Sequence, residues 1–326
     1  MGTARLKTWS ALSDLGRLPT EYEVVTHRLH YHTEMPFELD PKAPVVAWYK
    51  KYRDDISLVA RDWNQFRDPR RMVYRKYTEN QDDRETFIDV LYEEVEAFSL
   101  PLQWVGYLAN TLGVLRFFGH GLQMVEAYQA QLAPTSYVTN CLIFEAGDEM
   151  RRIQRVAYHL AMLRRQYPQY AWAKEDQTYW ETQPVWLSLR ELIERLLVTY
   201  SWDASWVALN LTVKPLVDRL WLVHGALLAR NNEDDLLSEI LSNLYLDSMR
   251  HQEWSAALAR FLIADQPGNR EAIRKIIDEW YPVTLAAIHD LNPLFTTEPP
   301  QTINFSEALK DIETTHRGLL AAATIL

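Results

Sequence analysis

The chain carries two near-copies of one pentapeptide: Asp148-Glu149-Met150-Arg151-Arg152 and, about one hundred residues later, Asp247-Ser248-Met249-Arg250-His251. On an α-helix, positions i and i+3 share a face, so each copy demands a helix that turns both residues of its pair the same way. Each copy is one substitution short of D-E-x-R-H. The Glu-x-x-His pair of that motif, present on two helices with one Glu from each of two others, holds a carboxylate-bridged metal pair inside a bundle. Here Arg152 stands where the first His belongs and Ser248 where the second Glu belongs. An arginine is permanently cationic and has no lone pair to offer a metal. The pattern is that of a ligand scaffold without its ligands.

Only 10 glycines occur in 326 residues, with no glycine-rich phosphate loop, which argues against nucleotide-binding α/β folds. Hydrophobic content of 48% with 24% charged residues belongs to a globular chain. A net charge of −10 excludes a non-specific nucleic-acid binder. The single cysteine, Cys141, lies in an apolar run and has no internal disulfide partner, which points to a reducing, cytoplasmic home. The uncharged stretch from Ala97 to Leu115 is interrupted by Ser99, Pro101, Gln103, Asn110 and Thr111. It reads as a core helix, not a membrane span.

Apolar residues recur at three- and four-residue steps from about Asp82 onward, and almost no strand alternation is present. The pattern predicts helices over 82–98, from Pro101 to about Leu132, and from a cap at Thr135 or Ser136 to about Tyr167. A polar connection over 168–183 follows, then helices from Pro184, over 206–230 with a kink at Pro215, over 235–263, over 270–290 broken at Pro282, and over 305–323. Both pentapeptides fall inside long helices. Residues 1–80 hold Pro19, Pro36, Pro41 and Pro44 with scattered aromatics and one short helix near Val45–Tyr52. They are expected to form an extended arm, with residues 81–326 as a helical domain. The fold class is all-α: a ferritin-like helical bundle with an extended N-terminal arm and extra C-terminal helices.

Taken together, Thr8-Trp9-Ser10, Pro19-Thr20-Glu21-Tyr22-Glu23, Arg28-Leu29-His30-Tyr31, Trp48-Tyr49-Lys50, Ala133-Pro134, Ser136 to Cys141 and Val213-Lys214-Pro215 resemble one family. This is the β subunit of the hydroxylase in bacterial multicomponent toluene- and alkene-type di-iron monooxygenases. The likeness covers most of the chain and is weakest after about residue 290. Counting back from the second pentapeptide by the ligand spacing of the catalytic α subunits lands on Lys214. The same count from the first lands near Gly119 and His120, with no carboxylate until Glu126. The resemblance thus implies relict ligand positions at Glu149, Arg152, Lys214, Ser248 and His251, with Glu149 paired to Arg152 or Lys214.

The resemblance also implies no metal or cofactor in this chain and a di-iron centre in a partner α subunit. The implied assembly is a dimer of αβγ units. A Rieske-type ferredoxin, a reductase and an effector protein complete an NADH-dependent system that oxygenates an aromatic or alkene hydrocarbon. The chain would be a non-catalytic scaffold, with Trp9, Tyr22, His30, Tyr31, Trp48 and Tyr49 as interface anchors. One alternative is a single-chain di-metal oxidase drawing on Glu126, Glu145, Glu149 and His251. Another is a helical small-molecule-binding protein. The plainer readings are intrahelical pairs, Asp148 with Arg152 and Asp247 with His251, and packing roles for His27, His30 and His32.

Overall fold

The computed structural model describes residues 12–29, 42–94 and 99–326. Two short helices, α1 (Glu21–Val24) and α2 (Pro44–Tyr49), precede α3 (Tyr74–Glu94), α4 (Leu102–Thr111), α5 (Leu115–Leu132) and α6 (Ser136–Gln166). Then come α7 (Asp176–Thr182), α8 (Pro184–Leu197), α9 (Trp202–Ala208), α10 (Lys214–Asp218) and α11 (Gly225–Asn231). The series closes with α12 (Asp235–Asp265), α13 (Asn269–Asp290), α14 (Pro293–Thr296) and α15 (Phe305–Ala322). Among the described residues there is no strand.

Two helical expectations shift for physical reasons. Pro215 does not kink its helix sharply. Instead α9, α10 and α11 form one rod through π-helical turns at Leu209–Val213 and Arg219–His224, and the wider turn before Pro215 accommodates its missing N–H. Nor does Pro282 break α13, which runs through it. Pro282 and Asp278, whose carbonyl it leaves without an N–H, both lie on an exposed face where water can serve that carbonyl. The polar connection over 168–183 contains α7, and the helix expected from Pro101 to about Leu132 is two helices, α4 and α5. No helix among the described residues is long and apolar enough to cross a membrane.

Four helical elements, α5, α6, the α9–α11 rod and α12, form the central bundle. Its apolar interior is divided in two at one level on all four. On one side lie Leu122 and Val125 of α5, Val156 and Leu160 of α6, Leu216 and Leu220 of the rod, and Leu237 to Leu244 of α12. On the other lie Ala130, Val138, Cys141, Trp206, Leu211, Trp254 and Leu258. Between these two halves every helix turns polar residues inward: Glu126, then Glu145 to Arg152, then Asn210, Lys214 and Asp218, then Asp247 to His251. A belt of charge in a core costs several kcal/mol per unpaired ion. Its pairing is therefore the fold's central problem.

Of residues 1–80, the described part lies on the chain's own bundle. Tyr22, Tyr49, Leu58, Phe66 and Val73 belong to the second apolar half. His27 Nδ1 lies 3.0 Å from the Tyr137 hydroxyl, and Tyr49 donates from its hydroxyl to the Gln131 carbonyl at 3.1 Å. Helix α3 starts at Tyr74, eight residues before the periodicity becomes visible, because its early face is Tyr77 and Gln81, which serve the polar belt instead of an apolar stripe.

Candidate functional site: a paired charge belt where metal ligands would stand

Lys214 enters the centre of the bundle from the rod. Its ammonium contacts Glu149 of α6 and lies 3.1 Å from Asp218 Oδ2, one turn along its own helix, and 3.8 Å from Glu126 Oε1 of α5. Arg152 completes the ring, with Nη1 2.8 Å from Asp218 Oδ1 and 3.2 Å from Glu149 Oε2. Ser248 of α12 is buried near Asp218 and helps to hold its carboxyl ionised. All of these groups are buried or nearly so.

The neighbouring charges set the direction in which each group titrates. Burial would lower the Lys214 pKa, but Asp218 and Glu149 outweigh it and hold the ammonium above its ordinary range. Burial likewise opposes ionisation of Asp218, yet Arg152 and Lys214 hold its carboxyl well below the usual value. Glu126 is different. Burial pushes it well above the carboxylate range, and Lys214 opposes this without reversing it. Neither Glu126 oxygen has a hydrogen-bond partner. Two cations then face two carboxylates and one neutral carboxylic acid, and the ring is electrically balanced.

Beside this ring, Glu145 accepts from Asn210 Nδ2 at 2.8 Å and from Trp254 Nε1 at 3.0 Å. Burial, opposed by Lys214 and Arg250, raises its pKa to about 7. His251 does not enter the lysine ring. Its Nε2 lies 2.7 Å from Asp148 Oδ2, so that nitrogen is the donor when the ring is neutral. Burial, reinforced by the Lys214 and Arg250 charges, lowers the His251 pKa to about 3 despite the Asp148 hydrogen bond, so the imidazole is neutral.

The repeated D-x-M-R part of each pentapeptide forms a reciprocal pair. Arg250 of α12 contacts Asp148 of α6, while Arg151 of α6 reaches back to Asp247 of α12, Nη1 to Oδ2, at 2.6 Å. Helix α3 clamps both carboxylates. Tyr77 donates to Asp148 Oδ1 at 2.9 Å, Gln81 donates to Asp148 at 2.6 Å and to Asp247 at 3.0 Å, and Arg84 contacts Asp247. The intrahelical pairs expected from the sequence are therefore not the partners chosen. Arg152 turns to Glu149 and Asp218, Asp247 to Arg151, and His251 to the other helix's aspartate. The pairs that do close one turn apart are others, Glu149 with Arg152 and Lys214 with Asp218.

The spacing count that led to Gly119 and His120 also misses. Gly119 packs on Ile153, whose Cγ1 would lie 3.1 Å from an added Cβ, and His120 is exposed. The carboxylate that α5 delivers is Glu126. Asp218 and Asn210 were not singled out either, although Asn210, Lys214 and Asp218 form an i, i+4, i+8 polar stripe on an otherwise apolar helix. That stripe was the available signal.

Of the six aromatic and histidine anchors, Trp9, His30 and Tyr31 lie outside the described residues, as does His32. Tyr22 and Tyr49 are 4% and 5% exposed inside the chain's own core, so their rings cannot anchor a partner. Trp48 remains, 39% exposed in a surface group with Tyr52, Tyr128 and Tyr200.

A di-iron centre does not fit these residues. The ammonium of Lys214 sits among the carboxylates that would bridge the ions, each ionised carboxylate is already matched by a cation, and like charge repels a dication strongly in a low-dielectric core. Among the described residues no group of three or more His, Cys, Asp and Glu is arranged to hold a metal ion.

Helices of this order around a four-membered core define a ferritin-like bundle, and the comparisons place it. The family model for methane/phenol/alkene hydroxylases matches residues 48–266. The chain is 32% identical over 314 residues to the hydroxylase component subunit beta of the toluene-4-monooxygenase system of Ectopseudomonas mendocina, covering 94% of this chain and 96% of that one. A chain of toluene 4-monooxygenase, solved with toluene in the resting active site, superposes with a TM-score of 0.83 at 32% identity, covering 90% and 99% of the two chains. A chain of xenon-pressurised phenol hydroxylase from Pseudomonas sp. OX1 shares the fold, with a TM-score of 0.74 at 18% identity over 96% and 98%. The chain belongs to the methane/phenol/alkene hydroxylase family, as a β-type subunit of a multicomponent monooxygenase hydroxylase.

Proposed function

We infer that this chain scaffolds a hydroxylase whose di-iron centre is carried by a partner α subunit, and that the complex oxygenates an aromatic or alkene hydrocarbon. The observation that carries this reading is Lys214, whose ammonium, 3.1 Å from Asp218 and in contact with Glu149, holds the centre of the polar belt among the carboxylates a metal would need. A chain that stabilises this core by ion pairs keeps the fold for its exterior. The likeness to a toluene-4-monooxygenase β subunit along 94% of the chain supports the assembly and the substrate class.

The full reading is a cytoplasmic dimer of αβγ units served by an NADH-dependent reductase, a Rieske-type ferredoxin and an effector protein. Glu149, Arg152, Lys214, Ser248 and His251 are its former ligand positions, with Glu126 beside them. Trp48 on its aromatic surface group is the anchor still available to a partner.

The test is co-expression with the catalytic chain of the same host. Affinity capture of this chain should bring down the α chain in equal amount, and, with the γ chain, reductase, ferredoxin, effector protein and NADH supplied, the complex should hydroxylate a hydrocarbon such as toluene only when both are present. Full activity of the α chain without this one would remove the scaffold role.

A further inference from the structure

Two apolar cavities of about 30 Å³ each, partly open at their edges, adjoin along the first half of the core. They share Leu115, Trp221 and Leu241 as walls. One continues past Ile153 to Arg152, on the margin of the lysine ring, and the other past Leu112 to Phe295. Most of these walls are buried.

Water is a poor occupant. An ordered buried water makes about three hydrogen bonds, and these linings are almost wholly apolar, with most of their polar side chains already engaged. The Tyr107 hydroxyl donates to the Leu294 carbonyl at 2.8 Å, the Trp104 indole to Asp234 at 2.9 Å, and Arg152 Nη1 to Asp218. What remains on the shared wall is the Trp221 indole N–H, which has no partner. One donor cannot hold a water against the loss of its other bonds. An aromatic ring is equally excluded, since benzene needs a cavity of about 150 Å³. A void of this size leaves its lining short of dispersion contacts, and a small polarisable molecule without hydrogen-bonding needs restores them.

We propose that the paired cavities around Trp221 and Leu241 are a binding site for small non-polar gas molecules of the size of dioxygen. The site lies beside the charge belt and uses none of its residues except the flank of Arg152. Its occupant enters by partition out of water, without a charged or hydrogen-bonded anchor.

Crystals of the full chain pressurised with xenon test the site, xenon standing in for the gas. Xenon density is expected in both cavities, on either side of Trp221. Leu241→Phe, which fills the shared wall, should reduce xenon at both positions to background while circular dichroism shows an unchanged helical fold. If that variant does not fold, Leu115→Phe makes the same test from a half-buried position. In solution, dissolved dioxygen should enhance methyl relaxation at Leu115, Leu241 and Leu244 well above that of other buried methyls such as Leu258. Ordered water in the cavities, no xenon there while other sites in the same crystal load, or xenon unaffected by a folded Leu241→Phe would each overturn the proposal.

Discussion

Replacing Lys214 by Met isolates the charge belt's contribution, because Met fills nearly the same volume without the ammonium. The ring then holds Arg152 against two carboxylates, Glu149 and Asp218, so one buried negative charge is uncompensated. Removing one partner of a buried ion pair costs about 3–5 kcal/mol, and Lys214 serves two carboxylates, so the upper half of that range is expected. The penalty has a built-in relief. A carboxylate without its cation has a raised folded pKa, so it takes up a proton as pH falls, and the excess charge disappears. Each unit of pKa shift is worth about 1.36 kcal/mol. Urea unfolding should therefore show Lys214→Met destabilised most near neutral pH and progressively less so toward about pH 5. The double variant Lys214→Met, Glu149→Leu restores balance, Arg152 against Asp218. It should be more stable than Lys214→Met alone, since replacing both partners by apolar groups is close to neutral. A single-variant cost below about 1 kcal/mol, independent of pH, or a double variant as unstable as the sum of the singles, would refute the balanced ring.

The same reasoning extends to other groups. His251 is held neutral with a pKa of about 3, against an ordinary 6.5, so the unfolded chain binds its proton first. Stability should fall as pH drops from about 6.5 toward 3, and His251→Gln should flatten that slope in a pH series of urea melts. Asp148, which Arg250 and a hydrogen bond from His251 hold at about 2 against the cost of burial, contributes stability that is full above about pH 4 and lost below it; Asp148→Asn should lower stability at neutral pH and narrow the loss between pH 4 and 2. Tyr22→Ala should cost about 3 kcal/mol or more in chemical denaturation, because its ring lies in the core at 4% exposure. For the same reason, deleting residues 1–40 should lower the melting temperature of the chain.

How much of this was legible depended on what each residue does. The long helices announced themselves through apolar periodicity. The substitutions Arg152, Lys214 and Ser248 stood at motif positions and could be read directly. Periodicity was silent at the start of α3, whose Tyr77, Gln81 and Arg84 serve Asp148 and Asp247 in place of an apolar neighbour. The partner choices were hidden for a related reason. Sequence spacing suggests pairs one turn apart, whereas Asp148 with Arg250 and Asp247 with Arg151 close across two helices about one hundred residues apart. Glu126 stands off the counted position because that count was borrowed from the spacing of a related subunit and not read from this chain's own helices. Tyr22 and Tyr49 looked like surface anchors because prolines and charges surround them, and only the packing of that segment on Tyr137 and Leu132 shows their rings to be interior.

The claim that this chain carries the fold without the metal is tested most directly by its own iron content. The purified chain, incubated anaerobically with excess ferrous iron and desalted, should return only background iron on elemental analysis, because Lys214 and Arg152 already neutralise the carboxylates a metal would need. Near-stoichiometric iron retained by the unsubstituted chain would contradict the account and make it a metal-bearing subunit in its own right.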